Sequence, residues 1–417
     1  MSIETRASWV VAAVAVLVLS ISFGSVFIIV VGLKTVAADI GGGQRSVPAF
    51  AHSLAWFSAA LGGLYMAPLA ERIGVRVTVM FGAVMVAIGL ALSSLGSTWQ
   101  LYLGHGLFVG LLGNAGINAP LYVYITRWFD VHRGAALALI TSGQYLAGAV
   151  WPMVFERTIA LYGWRQTMLY YGILVVLLVV PLAAIFFRRP PVPTVAQSQA
   201  NGMGPISGER VLGLNPNVVF VMMMLANFLC CVPMSMPSAH MVAFCGDLGL
   251  AASAGAAILS LLLVCAMFSR QFWGWLSDRI GGLMTILICS MAQAAAVAGF
   301  ALTQDEAGLF LAAIAFGLGF SGLIPAYVLV VRELFPSAQA SWRVPSLLLS
   351  GGTGMAFGGW FAGYIYDQAG AYAPAFATGL AFNLVHLVIV ACLAWRWWRW
   401  RAQQSHPETQ LQLRPGS

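Results

Sequence analysis

Two side chains stand where an apolar chain has little reason to place them. Arg270 lies inside the apolar run 253–275, eight residues before Asp278, and His240 lies inside the run 217–244, just after Pro233-Met234-Ser235-Met236-Pro237. An Arg within hydrocarbon costs on the order of 3 kcal/mol unless it meets an anion or a water-filled cavity. Its planar donor fork fits a carboxylate with two hydrogen bonds, so the chemistry Arg270 suits best is binding an organic acid. The competing use is a side chain that snorkels to the interface, about two turns away. His240 titrates near neutral pH, which suits it to holding a coupled proton or to hydrogen-bonding a substrate. The two prolines before it each remove a backbone donor and predict a kinked or locally opened helix. A His satisfied by a carbonyl freed at that kink is the alternative.

A polar stripe accompanies these two. Asn114, Asn118 and Tyr122 are spaced i, i+4, i+8 and share one helix face, with Gln144 and Tyr145 on the next segment. Asn118, Tyr122 and Gln144 are candidates to line a substrate path opposite Arg270, and Tyr327 occupies the place of Tyr122 205 residues later. Interhelical hydrogen bonding is the other use of such residues. Phe23, Phe27 and Trp151 suit an apolar wall or plain core packing. Asp247 and Glu156 are further proton candidates, although both sit near helix ends, where a solvated carboxylate is ordinary. Lys34, the sole Lys, ends the first segment, where it either attracts an anion or snorkels.

Other chemistries find no support. Lys34 follows Leu33 rather than Gly, so no Gly-Lys-Ser/Thr phosphate loop exists, and the clusters Gly41-Gly42-Gly43 and Gly351-Gly352-Thr353-Gly354 precede no such Lys. There is no H-E-x-x-H or G-x-S-x-G, and no metal pair or prosthetic group is expected. The six cysteines lack C-x-x-C spacing and read as small core residues. These absences argue against an enzyme and against nucleotide-driven pumping.

The surroundings of these residues are set by composition. Of 417 residues 60% are apolar and 8% charged, against roughly a quarter charged in soluble domains. Such a surface calls for lipid, and a net charge of +7 then speaks of topology rather than nucleic acid. At about 20 residues per crossing the chain holds twelve apolar segments, near 8–33, 48–69, 76–96, 99–126, 134–160, 166–187, 217–244, 253–275, 282–303, 307–331, 342–366 and 373–398. Long runs without alternation exclude a barrel, so the expected fold is an all-α membrane protein. The first run is too long for a signal-peptide core and lacks an A-x-A site, and is kept as a span. Arg188-Arg189-Pro190-Pro191 opens a polar stretch to Pro216. The expected organisation is a six-helix bundle over 1–187, a linker over 188–216, a second bundle over 217–398 and a tail over 399–417.

The halves repeat. Leu69-Ala70-Glu71-Arg72-Ile73-Gly74 is echoed 207 residues later by Leu276-Ser277-Asp278-Arg279-Ile280-Gly281. Arg127-Trp128-Phe129 is echoed by Arg332-Glu333-Leu334-Phe335, and Tyr162-Gly163-Trp164-Arg165 by Ala369-Gly370-Ala371-Tyr372. Three echoes in one order at nearly one offset indicate duplicated halves. Counting basic residues by side puts Arg6, Arg72, Arg76, Arg127, Arg133, Arg188, Arg189, Arg210, Arg279, Arg332, Arg343, Arg396, Arg399, Arg401 and Arg414 on one face and Lys34, Arg45, Arg157 and Arg165 on the other. That bias orients both termini and the linker to the cytoplasm.

The paired L-x-[DE]-R-x-G loops, the central linker and the 6+6 repeat resemble the major facilitator superfamily over essentially the whole chain. Arg127-Trp128-Phe129 with His132-Arg133-Gly134, Gly163-Trp164-Arg165, His240 seven residues before Asp247, and Arg270 four before Gly274 resemble its monocarboxylate and oxalate/formate branch. The resemblance implies twelve transmembrane helices and a substrate between the halves, with Arg270 binding it. It implies gating by charge pairs from Glu71, Arg72, Asp278 and Arg279 to neighbours such as Arg127, Arg133, Arg332 or Arg343. Two departures matter: animal relatives carry an acid one turn before the Arg, where this chain has Ala266, and oxalate carriers carry a second cation on segment eleven, which is missing here. One buried cation suits a singly charged acid. The function expected is therefore transport of a small monocarboxylate such as lactate or pyruvate by rocker-switch proton symport, in a bacterial inner membrane, by a monomer. A carrier of bulkier aromatic acids, or an anion exchanger without protons, is the alternative.

Overall fold

The computed structural model describes residues 4–125, 127–129, 132–188 and 211–404. Most of the expected linker and the tail from 405 lie outside them. The described residues form helices throughout, with one isolated bridge, Val211 to Leu214, in place of any strand. The spanning helices are α1 Arg6–Val31, α2 Ser46–Ile73, α3 Val75–Ser94, α4 Thr98–Ile125, α5 133–162, α6 164–186, α7 Pro216–Asp247, α8 Ala252–Ile280, α9 Gly282–Leu302, α10 Glu306–Leu334, α11 Ser337–Ala369 and α12 Ala373–Gln404. Helices α5 and α6 run on without a loop, separated only by Gly163 at φ 79°. Two short accessory elements matter later: Leu33–Ile40 after α1, and a π-helical stretch, Gly104–Asn114, inside α4.

The sequence echoes are backbone echoes. Gly74 between α2 and α3 and Gly281 between α8 and α9 both take positive φ, 95° and 83°, as do Gly163 and Gly370 at the ends of α5 and α11. Only glycine adopts that conformation without steric cost, so each turn ends its helix where the 207-residue repeat requires.

Contacts between helix ends define two faces. On the basic face Glu4 meets His132 and Glu71 pairs with Arg127, while the Tyr124 hydroxyl donates to the Arg188 carbonyl at 2.7 Å and Arg343 donates to Asn217 at 3.1 Å. On the opposite face Arg165 donates to Asp39 at 2.9 Å and Lys34 pairs with Asp247 at 3.1 Å. Helix ends therefore alternate between the faces, as successive membrane crossings require.

Lipid tails are as apolar as leucine, so helices associate through close packing of small residues and through hydrogen bonds. α11 does this on two sides. Cβ atoms added at Gly354 and Gly358 would fall 2.4 and 2.2 Å from the Phe228 and Val232 carbonyls of α7. At Gly352 and Gly363 they would fall 3.0 and 3.1 Å from Ala60 and Ala49 of α2, across the two halves. The expected opening of α7 at Pro233 and Pro237 does not occur: the helix is continuous to Asp247. It is clamped by that glycine face, and the Ser235 and Ser238 hydroxyls bond the carbonyls of Val232, Met234 and Ser235 at 3.0–3.1 Å.

Gly358→Val forces a methyl-bearing carbon against a backbone oxygen and is expected to cost roughly 1–3 kcal/mol, a melting temperature several degrees lower. Gly106→Ala, whose added carbon meets nothing nearer than 3.6 Å, is expected to leave it unchanged in the same thermal scan.

Candidate functional site

Arg270 stands on α8, eighteen residues from the helix start on the opposite face and ten from its end on the basic face, or roughly 27 and 15 Å along the axis. It is half-buried, and its guanidinium lies over the Tyr145 ring of α5 at 5.2 Å. Tyr145 in turn packs edge-on to Phe320 of α10 at 6.2 Å. Beside it Gln144 donates to the Tyr122 hydroxyl of α4 at 3.0 Å, and the Arg270 charge acts electrostatically on Tyr122. A cation from one half thus faces Tyr122, Gln144 and Tyr145 from the other. Among the described residues no carboxylate pairs with Arg270, and Ala266, one turn before it, is fully buried. A cation–π contact of about 0.5–2 kcal/mol does not by itself offset the cost of the charge.

The other sequence candidates divide. Asn118 is 8% exposed, on the Tyr122 face, and its Oδ1 has no partner among the described residues. Asn114 accepts from Ser22 of α1 at 2.5 Å and serves as glue. Tyr327 is buried, its hydroxyl 2.8 Å from Nε2 of His386 inside the second half. Glu156 is half-buried near the end of α5 with no described partner. Of the gating residues, Glu71 pairs with Arg127 within the first half, Arg72 and Asp278 are exposed without a described ion pair, and Arg279 stacks over Trp275 at 3.9 Å. The Arg133 side chain lies outside the described residues. Arg343 is buried among Phe220, Phe335 and Trp342 instead of meeting Asp278.

His240 is not beside Arg270. It lies seven residues from the end of α7, so the two differ in depth by roughly 16 Å. Its Nε2 donates to the Gly359 carbonyl of α11 at 2.7 Å, and its Nδ1 accepts from the Tyr372 hydroxyl at 2.9 Å, the tautomer being set by the carbonyl.

Around it is a site that spacing does not reveal. Arg45, at the start of α2, is 7% exposed and grips Asp247 through both Nη atoms, while Lys34 Nζ holds the same carboxylate at 3.1 Å. The Arg45 guanidinium lies over Tyr366 at 3.6 Å and over Tyr372 at 5.2 Å. Burial opposes its charge, but the hydrogen bonds to Asp247 and Tyr372 prevail and hold its pKa above the ordinary value. Asp367 at the end of α11 accepts the Arg45 and Ser46 backbone N–H at 2.7 and 2.9 Å, capping α2. Every hydrogen bond and ion pair described between the halves belongs to this cluster; the aromatic and glycine contacts continue only to mid-depth.

The fold belongs to a transporter, not an enzyme. Residues 14–342 match the Major Facilitator Superfamily model, and the chain belongs to that family. It is 26% identical over 319 residues to monocarboxylate transporter 13 of Rattus norvegicus, covering 76% of this chain and 72% of that one. It is 26% identical over 405 residues to monocarboxylate transporter 11 of Mus musculus, covering 90% and 85%. The MFS transporter asaE of Aspergillus flavus matches at 24% over 312 residues, covering 74% and 68%. Among solved structures, a bacterial homolog of the human lysosomal transporter Spinster, inward-facing and occupied, superposes with a TM-score of 0.67 at 18% identity over 95% of this chain and 97% of that chain. A point mutant of the nucleoside transporter NupG gives 0.68 at 15% over 91% and 99%. The protein is a multi-pass membrane transporter with a small-molecule substrate.

Asp247→Asn leaves Lys34 and Arg45 without their anion. Spin labels at Gln44→Cys and Ala252→Cys, with the exposed Cys392 replaced, are expected to show a longer and broader distance distribution in that variant than in the wild-type background. An unchanged distribution would mean the cluster does not hold the halves together.

Proposed function

We propose that the protein carries small monocarboxylates such as lactate or pyruvate, with Arg270 as the substrate-binding cation and Tyr122, Gln144 and Asn118 on the facing wall. The observation that carries this proposal is a mid-depth guanidinium between the halves with no carboxylate partner among the described residues. One cation matches one carboxylate. The similarity to two monocarboxylate transporters supports the cargo class. Tyr327 takes a supporting place in the second half through its bond to His386.

In the proposed cycle the bundles 1–187 and 217–398 rock about the site, in a bacterial inner membrane with both termini cytoplasmic, the monomer being sufficient. The basic bias of one face supports that orientation. The Asp247 cluster closes the outer face while substrate exchanges with the cytoplasm. Glu71, Arg72, Arg127, Arg133, Asp278 and Arg279 close the inner face in the other half of the cycle.

Proton symport follows from charge. A carboxylate crossing alone works against the membrane potential at about 2.3 kcal/mol per 100 mV, and a proton cancels that. His240 is the carrier we favour, because a second positive charge on it, one tyrosine away from Arg45, would repel that guanidinium and loosen the outer cluster. Asp247, engaged by two cations, and Glu156 are the lesser candidates. Anion exchange without protons is the second reading, favoured by the missing acid at Ala266.

In proteoliposomes, an inward proton gradient is expected to drive labelled lactate accumulation. Arg270→Gln should lower uptake at least tenfold while the protein still inserts, as loss of a charge-assisted bidentate contact worth about 1.5–3 kcal/mol requires. Normal uptake would reassign Arg270 to snorkelling. His240→Gln should keep lactate exchange but lose its response to the gradient; a retained response would move the proton elsewhere.

A further inference from the structure

The last turns of α12 carry Trp395-Arg396-Trp397-Trp398-Arg399-Trp400-Arg401, and the sequence has no Asp or Glu between Asp367 and Glu408. Among the described residues neither Arg396 nor Arg399 makes a described ion pair. Leu384, Val388, Ala391, Trp395 and Trp398, spaced i, i+4, i+7, i+11, i+14, form one exposed stripe, with Val388 70% and Trp398 68% accessible. Asn383, His386, Val390 and Leu393 are buried on the other side of the same helix. The stripe is therefore the lipid-facing side of a membrane helix.

Depth fixes what meets its end. From Ala373 to Trp395 is roughly 33 Å of helix, just past a hydrocarbon core of about 30 Å, and Arg399 stands about one turn further out. The same continuous lipid film that covers Val388 must present its headgroups at Trp395 and Arg399. Arg399 is exposed, yet its guanidinium is held over the Trp395 ring at 4.0 Å. Stacking removes rotamer freedom while the side chain stays exposed, and a held guanidinium suits a tetrahedral phosphate. The same i, i+4 arrangement recurs on α8, where Arg279 lies 3.9 Å over the exposed Trp275.

We propose that the end of α12 is a binding site for an anionic phospholipid, with Arg396 and Arg399 taking the phosphate and Trp395 and Trp398 seating the glycerol backbone. Zwitterionic lipid cancels the attraction through its own ammonium, so the site discriminates by headgroup charge. Each arginine near an anionic surface contributes about a fivefold preference.

The test is native mass spectrometry of the full-length protein from detergent micelles doped with equal phosphatidylglycerol and phosphatidylcholine. The expected result is phosphatidylglycerol retained at least about fivefold over phosphatidylcholine, the preference shrinking toward unity in Arg396→Gln/Arg399→Gln. Equal retention by the wild type overturns the proposal without need of any variant. A preference that the double variant keeps also overturns it, by placing the lipid elsewhere. Thermal scans of wild type with phosphatidylglycerol against glycerol 3-phosphate separate the sources: stabilisation by the lipid alone is expected, and equal stabilisation by the soluble phosphate would make this a free-anion site and not a lipid site.

Discussion

A charged guanidinium at mid-depth in a bilayer must be hydrated, paired or both, and much of this molecule is arranged around that demand. Arg270 receives a tyrosine ring, a nearby phenol and no acid. In the proposed cycle the Lys34–Asp247–Arg45 cluster supplies the closure, in a position where opening would separate one carboxylate from two cations at once. Glycines of α11 let that helix approach α2 from the opposite face to mid-depth, where the described cross-half contacts end.

The twofold repeat makes this economical to encode. Four positive-φ glycines, Gly74 and Gly281, Gly163 and Gly370, terminate helices at matching places in each half. The chemistry is not symmetric. The Tyr122 hydroxyl accepts from Gln144 in the first half, whereas that of its counterpart Tyr327 is bonded to His386, because α12 offers an imidazole there. A repeat argument transfers backbone faithfully and side-chain partners poorly.

Much of the fold was legible in the residues. Helix count, repeat offset and the depth of Arg270 follow from apolar run length and from the cost of charge in hydrocarbon, which are strong and local. Tyr122 and Gln144 could be found because helical periodicity puts them on one face. The outer cluster could not: Arg45 lies 322 residues from Asp367, which Tyr372 follows closely, all in loops and helix ends where no period operates, and only the closed packing of α2 on α11 brings them together. The local opening expected in α7 is missing for a related reason. Proline removes one hydrogen bond, but tight packing against glycines on a neighbouring helix, invisible in the α7 sequence, keeps the helix whole.

The central claim is that one mid-depth cation between the halves, Arg270, selects one carboxylate, and isosteres test it directly. Lactate and lactamide have nearly the same shape and the same hydroxyl, and differ in charge. Calorimetric titration of the purified protein is expected to show lactate binding at least about fivefold more tightly than lactamide, since a hydrogen bond to a charged group is worth about 1.5–3 kcal/mol against about 0.5–1.5 for a neutral one. Equal affinities would mean that the carboxylate is not what the site recognises, and would contradict the assignment of Arg270 as the substrate-binding residue.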